Sequence, residues 1–506
     1  MQKHSLIALA VAFLAAACTL EPKYERPAAP VSAQFPAQGI YATQPGAADN
    51  GTRSANAKPA ADIGWRDFFT DPRLQRLIEI SLKNNRDLRV AVLNIQASRA
   101  QYQITRAGLM PTINAVGSQT KSRTPKDLSF FNQTITNEYS VGVSGSWELD
   151  FFGRIQSLKD QALDQYLATA QARKAAEISL VSQVADQYLT VLSFDDLLKV
   201  TEGTLKTAQE SYRITKLQFD NGTGSELDLR QAQTVVEQAS ANYQQEARLR
   251  AQAVNALVLL VGEPLPDDLP PGVTLDSQDL LTDIPAGLPS DLLTRRPDIM
   301  EAEENLLAAN ANIGAARAAF FPEISLTGNF GTLSPTLGSL FKPGSAAWGF
   351  TPTITLPIFT GGKNKADLDL ANVQKNIQVA TYEKAIQTAF REVADGLAAR
   401  GTYDEQIAAL ERDTFAEQRR LDLSDLRYRN GVDSYLLVLT AQTDLYSAQQ
   451  ALISARVARL TNLVDLYQAL GGGWIERNGD QPRPADAAVD YSAASVPAAA
   501  SASSAN

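Results

Sequence analysis

The sequence predicts an α+β membrane protein built from two copies of one unit, each a β-hairpin followed by long coiled-coil helices. Three observations carry this: an internal repeat, short segments of alternating polarity, and two long stretches without proline. The repeat sets the frame. With a constant shift of about 211 positions and no gap, Asp87, Ala91, Asn94, Ala97, Ala100, Arg106, Ala107, Pro111, Ile113 and Gly117 face Asp298, Ala302, Asn305, Ala308, Ala311, Arg317, Ala318, Pro322, Ile324 and Gly328. Self-similarity over roughly 30 residues at such a period marks a duplicated structural unit.

The 506 residues would otherwise suggest about two to four domains, and the repeat makes them two halves of one object. Charged residues are 20% and the net charge is -10, so the chain lacks the basic balance that nucleic acid demands, and no nucleic-acid partner is expected.

The N-terminus carries Lys3, an apolar run over residues 6–17, and then Cys18, the one cysteine. A bilayer needs about 20 apolar residues, so residues 1–17 read as a secretory signal peptide. The string LAAAC ending at Cys18 resembles a bacterial lipoprotein processing box, with Ala15 where leucine is commoner. That resemblance implies a covalent lipid on Cys18, and Thr19 in place of aspartate implies the outer membrane. The sole histidine, His4, lies in the segment to be removed. The mature chain then has no histidine or free thiol for metal binding, base or nucleophile roles. No GxSxG, P-loop or clustered acidic motif is present; the expectation is a non-enzyme without metal or cofactor, apart from the lipid.

Residues 18–63 are rich in Pro, Ala, Gln and Gly and read as a lipidated N-terminus and extended linker. Repeat 1 spans residues 64–263. It opens with a helix starting at Asp71-Pro72, since proline suits a first helical turn, and running towards Ala107. A hairpin at 112–149 follows. Within it Tyr139, Val141, Val143 and Trp147 alternate with Ser140, Gly142, Ser144, Ser146 and Glu148, the rhythm of a strand with one apolar face. Long helices at 154–261 complete the unit.

A Pro- and Asp-rich connector occupies 264–289, and repeat 2 spans 290–474 with its hairpin at 323–358 and long helices at 362–470. Ile324, Leu326 and Phe330 alternate with Glu323, Ser325, Thr327 and Asn329; Trp348, Phe350, Ile354 and Leu356 alternate with Gly349, Thr351, Thr353 and Thr355. The strand starting at Thr112 is the least clear, and its equivalence to Glu323 carries it. Residues 475–506, rich in Ala, Ser, Asp and Pro, read as a disordered tail.

The second strand faces are small and uncharged, which suits a water-filled lumen, and segments of about 10 residues suit an outer-membrane strand. Four strands cannot close a barrel whose smallest single-chain form has about 8, and an open edge is not tolerated in lipid. Alternation alone fits a soluble sandwich with one wet face equally well; if these strands cross the membrane, as the lipoprotein signal favours, several chains must share one barrel.

Residues 154–219 and 363–428 contain no proline and consist mostly of strong helix formers. Roughly 66 residues at 1.5 Å each make about 100 Å of helix. Neither stretch is apolar enough to span a bilayer, so the helices project into water. They turn back at Asn221-Gly222 with Ser225 and at Asn430-Gly431 with Ser434. Gly222 and Gly431 provide left-handed caps and each serine a start for the next helix. In the last helix Val438, Ala441, Leu445, Ala448, Leu452 and Ala455 follow a seven-residue seam, and Leu229, Ala232, Val236 and Ala239 match its first four members.

The strings LLTRRPDI and AARAAFFPEISLTGNFG, IFTGG at 358–362 and RYRNGVDSYL at 427–436 resemble the outer-membrane factors of tripartite efflux systems. The lipoprotein branch serving resistance-nodulation-division pumps is the most similar, over residues 65–474. The resemblance implies a homotrimer with a shared 12-stranded β-barrel in outer-membrane lipid and an α-helical barrel in the periplasm. Its implied partners are a periplasmic adaptor protein and an inner-membrane resistance-nodulation-division pump. The strand count excludes a monomeric barrel; the number three comes from the resemblance.

In that family the periplasmic tip is closed near the second helical turn by a bulky apolar residue one helical turn before an acid. Leu421 and Asp425 match those positions, with Asp422 on a neighbouring face. Asp228 is similar to an acceptor of hydrogen bonds from the adjacent helix pair, and Arg419 and Arg420 are its candidate donors. The plainer reading of these charges is a solvated helix face. The implied function is a passive duct for small molecules, with a protein-secretion exit duct and a non-conducting envelope tether as alternatives. The polar strand faces argue against a tether. Substrate identity is not written in a duct that makes few selective contacts.

Overall fold

Residue alternation resolves into a single antiparallel sheet in the computed structural model, which describes residues 19–41, 58–125, 135–280 and 289–487. Its strands are β1 (Thr112–Arg123), β2 (Ile135–Leu149), β3 (Glu323–Ser334) and β4 (Ala346–Thr355), in the order β1-β2-β3-β4. Paired residues share a face. Ala115 pairs with Val143, Val143 with Phe330, and Phe330 with Trp348, so the apolar rows of all four strands coincide. This row is uncovered: Phe330 is 68% and Trp348 78% exposed.

The other face carries Ser118 opposite Ser140, Ser144 opposite Asn329 and Thr327 opposite Thr351. Its hydroxyls bond across strands, Ser118 to Ser140 at 2.7 Å and Ser122 to Thr136 at 2.8 Å. Among the described residues β1 and β4 each pair on one side only. β4 stops at Thr355, short of the expected 358, because Pro357 has no N–H to extend the ladder.

The helices are α1 (Trp65–Phe68), α2 (Pro72–Asn84), α3 (Arg86–Ala107), α4 (Arg154–Asp220), α5 (Glu226–Val261), α6 (Pro289–Arg295), α7 (Pro297–Ala318), α8 (Lys363–Arg429) and α9 (Tyr435–Ala469). α4 and α8 are each 67 residues long. No described helix is long and apolar enough to cross a membrane.

The chain divides into two units by its internal contacts. One holds the sheet with residues 94–170 and 301–384 and the described N-terminal residues up to 28. The other holds residues 29–93, 171–300 and 385–487.

In the second unit the single helix expected from Asp71-Pro72 towards Ala107 is two. Asn85 is extended, with φ -60 and ψ 131, because its side chain is engaged at both ends. Its Oδ1 accepts from the Leu88 N–H at 2.9 Å and its amide donates to the Leu260 carbonyl at 2.9 Å. The repeat reproduces the joint: Arg296, equivalent to Asn85, donates to the Ala469 carbonyl at 2.9 Å. Just beyond those carbonyls, Gly262 and Gly471 both have φ 82. A Cβ there would meet Asn84 O at 2.5 Å and Arg295 O at 3.1 Å. A left-handed backbone pressed against another chain segment requires glycine.

The core of this unit stacks Phe68 on Tyr467 at 4.1 Å between ring centres, and the Tyr467 hydroxyl donates to Ile63 O at 2.7 Å. Buried Asp71 caps α2 through the Arg73 N–H at 2.8 Å. It also ties down the connector, accepting from Tyr188 Oη at 2.7 Å and Gln278 Nε2 at 2.8 Å. Residues 281–288 of the connector lie outside the described residues.

The tail expected to be disordered from residue 475 is packed as far as 487. The Ile475 and Glu476 carbonyls accept from the Trp65 and Arg66 N–H groups at 2.8 and 3.1 Å. Arg173 donates to the carbonyls of Ala485 and Ala487 at 3.0 and 2.7 Å, and the Arg483 guanidinium stacks 4.4 Å over the Trp474 ring. Composition misses this because the anchors are distant side chains gripping backbone carbonyls. Residues 488–506 lie outside the described residues.

Candidate functional site

The α4–α5 and α8–α9 turns are built alike. Gly222 and Gly431 take φ 71 and 70. The Gly222 N–H bonds to Phe219 O and Thr223 N–H to Gln218 O, both at 2.9 Å; the Gly431 N–H bonds to Tyr428 O at 2.9 Å and Val432 N–H to Arg427 O at 3.0 Å. These bonds satisfy carbonyls left over at the helix ends. Asn221 and Asn430 add side-chain bonds to Leu217 O and Leu426 O at 2.7 and 2.7 Å. Restarting differs: Ser225 accepts from the Asp228 N–H at 3.1 Å, whereas Ser434 makes no side-chain cap.

Above the turns Tyr435, Val438 and Ala232 form a buried cluster with Tyr212, Leu421, Tyr428 and Leu439 packed against it. Leu421 is thus a half-buried member of packing that joins α4, α5, α8 and α9 within one chain. Tyr428 Oη donates to Gln218 Oε1 at 2.9 Å, linking α8 to α4. Burial is the main influence on Tyr435, whose hydroxyl is pushed up to about 12; Asp425 and Asp228 add to the rise.

The charges sort by helix face. Asp425 pairs with Arg429 at 2.9 Å, and Asp422 takes Gln418 at 3.0 Å and Arg419 at 3.5 Å. Arg420 bridges Glu417 at 2.9 Å and Asp444 on α9 at 2.7 Å. Neither candidate donor, Arg419 nor Arg420, bonds to Asp228 within the chain. Asp228 is half-buried beside Tyr428 and Tyr435, whose hydroxyls feel its charge. Tyr428, Tyr435 and Gln218 were not singled out from sequence, although both tyrosines stand in the RYRNGVDSYL string. Cys18 lies outside the described residues.

A protein-family model described as outer membrane efflux protein matches residues 77–263 and 288–472, one range in each half. The chain belongs to this family. Similar members include the antibiotic efflux pump outer membrane protein ArpC of Pseudomonas putida, 52% identical over 479 residues, covering 94% of this chain and 97% of the relative. The toluene efflux pump outer membrane protein TtgC, also of Pseudomonas putida, is similar to the same extent, 52% over 479 residues with coverage of 94% and 97%. Among solved structures, the open state of the Neisseria gonorrhoeae MtrE outer membrane channel is 42% identical with a TM-score of 0.80, covering 92% of this chain and 100% of that one.

Proposed function

We propose that this outer membrane efflux protein is the exit channel of a tripartite pump. Three copies share one barrel of twelve strands, four from each sheet, and conduct small molecules passively from an adaptor and an inner-membrane resistance-nodulation-division pump to the cell exterior. The carrying observation is the sheet, with one uncovered apolar face, one hydroxyl-rich face and an open edge at each side. In lipid such edges require partners, and a barrel closed by copies of the same chain supplies them with the polar face lining water. A lipid on Cys18 adds a second hold on the outer membrane. The relatives named for antibiotic and toluene efflux support this reading over protein secretion or tethering.

Asp422, Asp425, Asp228 and Leu421 are assigned to a gate at the helical turns. Carboxylates brought within about 6 Å repel by roughly 2 to 3 kcal/mol per pair at an effective dielectric near 20. A closed ring therefore needs counter-charges, and the Asp425–Arg429 pair at 2.9 Å supplies one. Asp228 is the acceptor available to a donor from a neighbouring chain, since no described side chain bonds to its carboxylate. Purified protein should run as a trimer in native mass spectrometry, and Asp228→Ala should raise single-channel conductance in planar bilayers. A monomer in membrane extracts would sink the shared barrel; unchanged conductance would remove Asp228 from the gate.

A further inference from the structure

The described chain begins with an extended strap that lies along α7. Three α7 side chains spaced by seven residues hold it. The Arg317 guanidinium donates to Leu20 O at 3.1 Å. The Asn310 amide donates to Glu21 Oε1 at 3.1 Å and Pro22 O at 2.7 Å. Glu303 accepts from Tyr24 Oη at 3.1 Å and takes the Arg26 fork at 2.7 and 2.8 Å. The strap runs antiparallel to the helix, and the two lengths agree. From Leu20 to Arg26 an extended chain covers about 20 Å at ~3.3 Å per residue, and from Glu303 to Arg317 a helix rises about 21 Å at 1.5 Å per residue.

Gly314 opens the bed in which the strap lies. A Cβ there would sit 2.5 Å from Ser157 Oγ of α4 and 3.1 Å from Glu21 Cα, so α4, α7 and the strap converge where only glycine leaves room. Asn310 is fully buried beneath it.

The repeat shows that this track is specific. Shifted back by the repeat offset of about 211, Glu303, Asn310 and Gly314 fall on Val92, Arg99 and Gln103. Val92 cannot accept from a tyrosine hydroxyl or a guanidinium, Gln103 adds the Cβ that Gly314 omits, and Arg99 puts a charged side chain where the fully buried Asn310 amide lies. Only Arg317 has an identical counterpart, Arg106. One copy of a duplicated helix has acquired a matched ladder of an acid, an amide and a glycine that the other lacks.

The geometry points to a positioning device: we propose that Glu303, Asn310 and Arg317 form a docking track that sets where the N-terminal membrane anchor enters the bilayer. Leu20 is held at Arg317, and α7 gives way to β3 a few residues later at Glu323. The chain that leads towards the anchor is therefore held, at Leu20, beside the joint where helix becomes strand, which the proposed barrel places at its periplasmic edge. The ligand class is the chain's own acylated N-terminus, and the proposal rests on the reading of Cys18 as lipidated.

The test uses the full chain in detergent-solubilised outer membranes, with trypsin cleavage after Lys23 as the readout of strap release and the mass of the released N-terminal peptide as the readout of acylation. Glu303→Ala should speed that cleavage at least about tenfold. Glu303→Arg combined with Arg26→Glu should restore slow cleavage, which a loss of general stability would not do. Equal cleavage rates in wild type and Glu303→Ala, or no rescue by the exchanged pair, overturn the track. A wild-type peptide without acyl mass overturns the anchor role and, separately, the lipid reading, while the cleavage rates still report whether the strap is held.

Discussion

Replacing Arg296 with methionine removes a cation that three elements share. Its side chain is 9% exposed, and its guanidinium meets Asp298 at 2.6 Å and Glu392 of α8 at 2.8 Å. It also donates to Ala469 O at the end of α9, at 2.9 Å. Burial works against the charge, and the two carboxylates more than offset it, leaving the arginine pKa raised. Removing one partner of a buried ion pair costs about 3 to 5 kcal/mol. Asp298 and Glu392 are 40% and 39% exposed and regain water, so the loss belongs near the low end, about 3 kcal/mol, or roughly 100-fold in a local opening equilibrium. Asn85→Ala is the internal control. It removes two neutral bonds, the cap on the Leu88 N–H and the bond to the Leu260 carbonyl; the second, at the equivalent joint, is worth about 1 kcal/mol and roughly fivefold at the Gly262 amide. Hydrogen exchange reads both, at the Leu470 and Gly471 amides for Arg296→Met and at the Gly262 amide for Asn85→Ala. Arg296→Lys should fall between wild type and methionine because an ammonium cannot fork. An Arg296→Met exchange rate within about threefold of wild type would refute the reasoning.

Phe350→Arg places a cation on the uncovered apolar face and should cost about 2 to 4 kcal/mol per chain if it lies near mid-membrane; outer-membrane fractions should lose the protein, whereas Thr351→Arg on the opposite face should leave its level unchanged. Asp71→Ala removes an α2 cap worth about 1 kcal/mol and strands the buried Tyr188 and Gln278 donors at about 1 kcal/mol or more each; the connector should become protease-sensitive at lower temperature, and Asp71→Asn should retain part of the resistance. Burial, followed by the charges of Glu304, Glu21 and Asp160, pushes the Asp164 carboxyl up to about 7, well above the ordinary aspartate range. The folded chain then keeps a proton that the unfolded chain has lost, so stability is greatest at the acid end and falls as pH rises through about 4 to 7; Asp164→Asn should gain heat resistance over wild type at pH 8 but not at pH 4.

Strand polarity was legible because each residue step flips a side chain, and the register places Val143, Phe330 and Trp348 in one row. β1 was legible only through its second copy. The break at Asn85 was missed, although Pro297, read back through the repeat, falls on Arg86, the first residue of α3. Charge pairing at the tips was not legible. Whether Arg420 meets Asp228 or Asp444 depends on helix rotation by a fraction of a turn, which a seven-residue pattern does not determine. The strap was hidden for a related reason. Its affinity for α7 resides in Glu303, Asn310 and Gly314, which carry meaning only once residues 20–26 are laid beside them.

The turns also limit how a gate at this site opens. Tyr435 is 2% exposed and is held among side chains from all four long helices of the chain. Burying a large aromatic removes roughly 150 to 250 Å² from water, worth about 4 to 6 kcal/mol at ~25 cal/mol per Å². A movement that separates α8 and α9 from α4 and α5 at this level exposes Tyr435 and forfeits much of that energy. A movement that carries the four helices together keeps it, and in the proposed gate breaks instead the contacts that a neighbouring chain would make with Asp228. The second path opposes opening with exposed polar contacts, each worth about 1 kcal/mol, which is within reach of an adaptor's binding energy. In the proposed trimer the buried cluster would therefore make each chain's tip the rigid body and place the weak joint between chains.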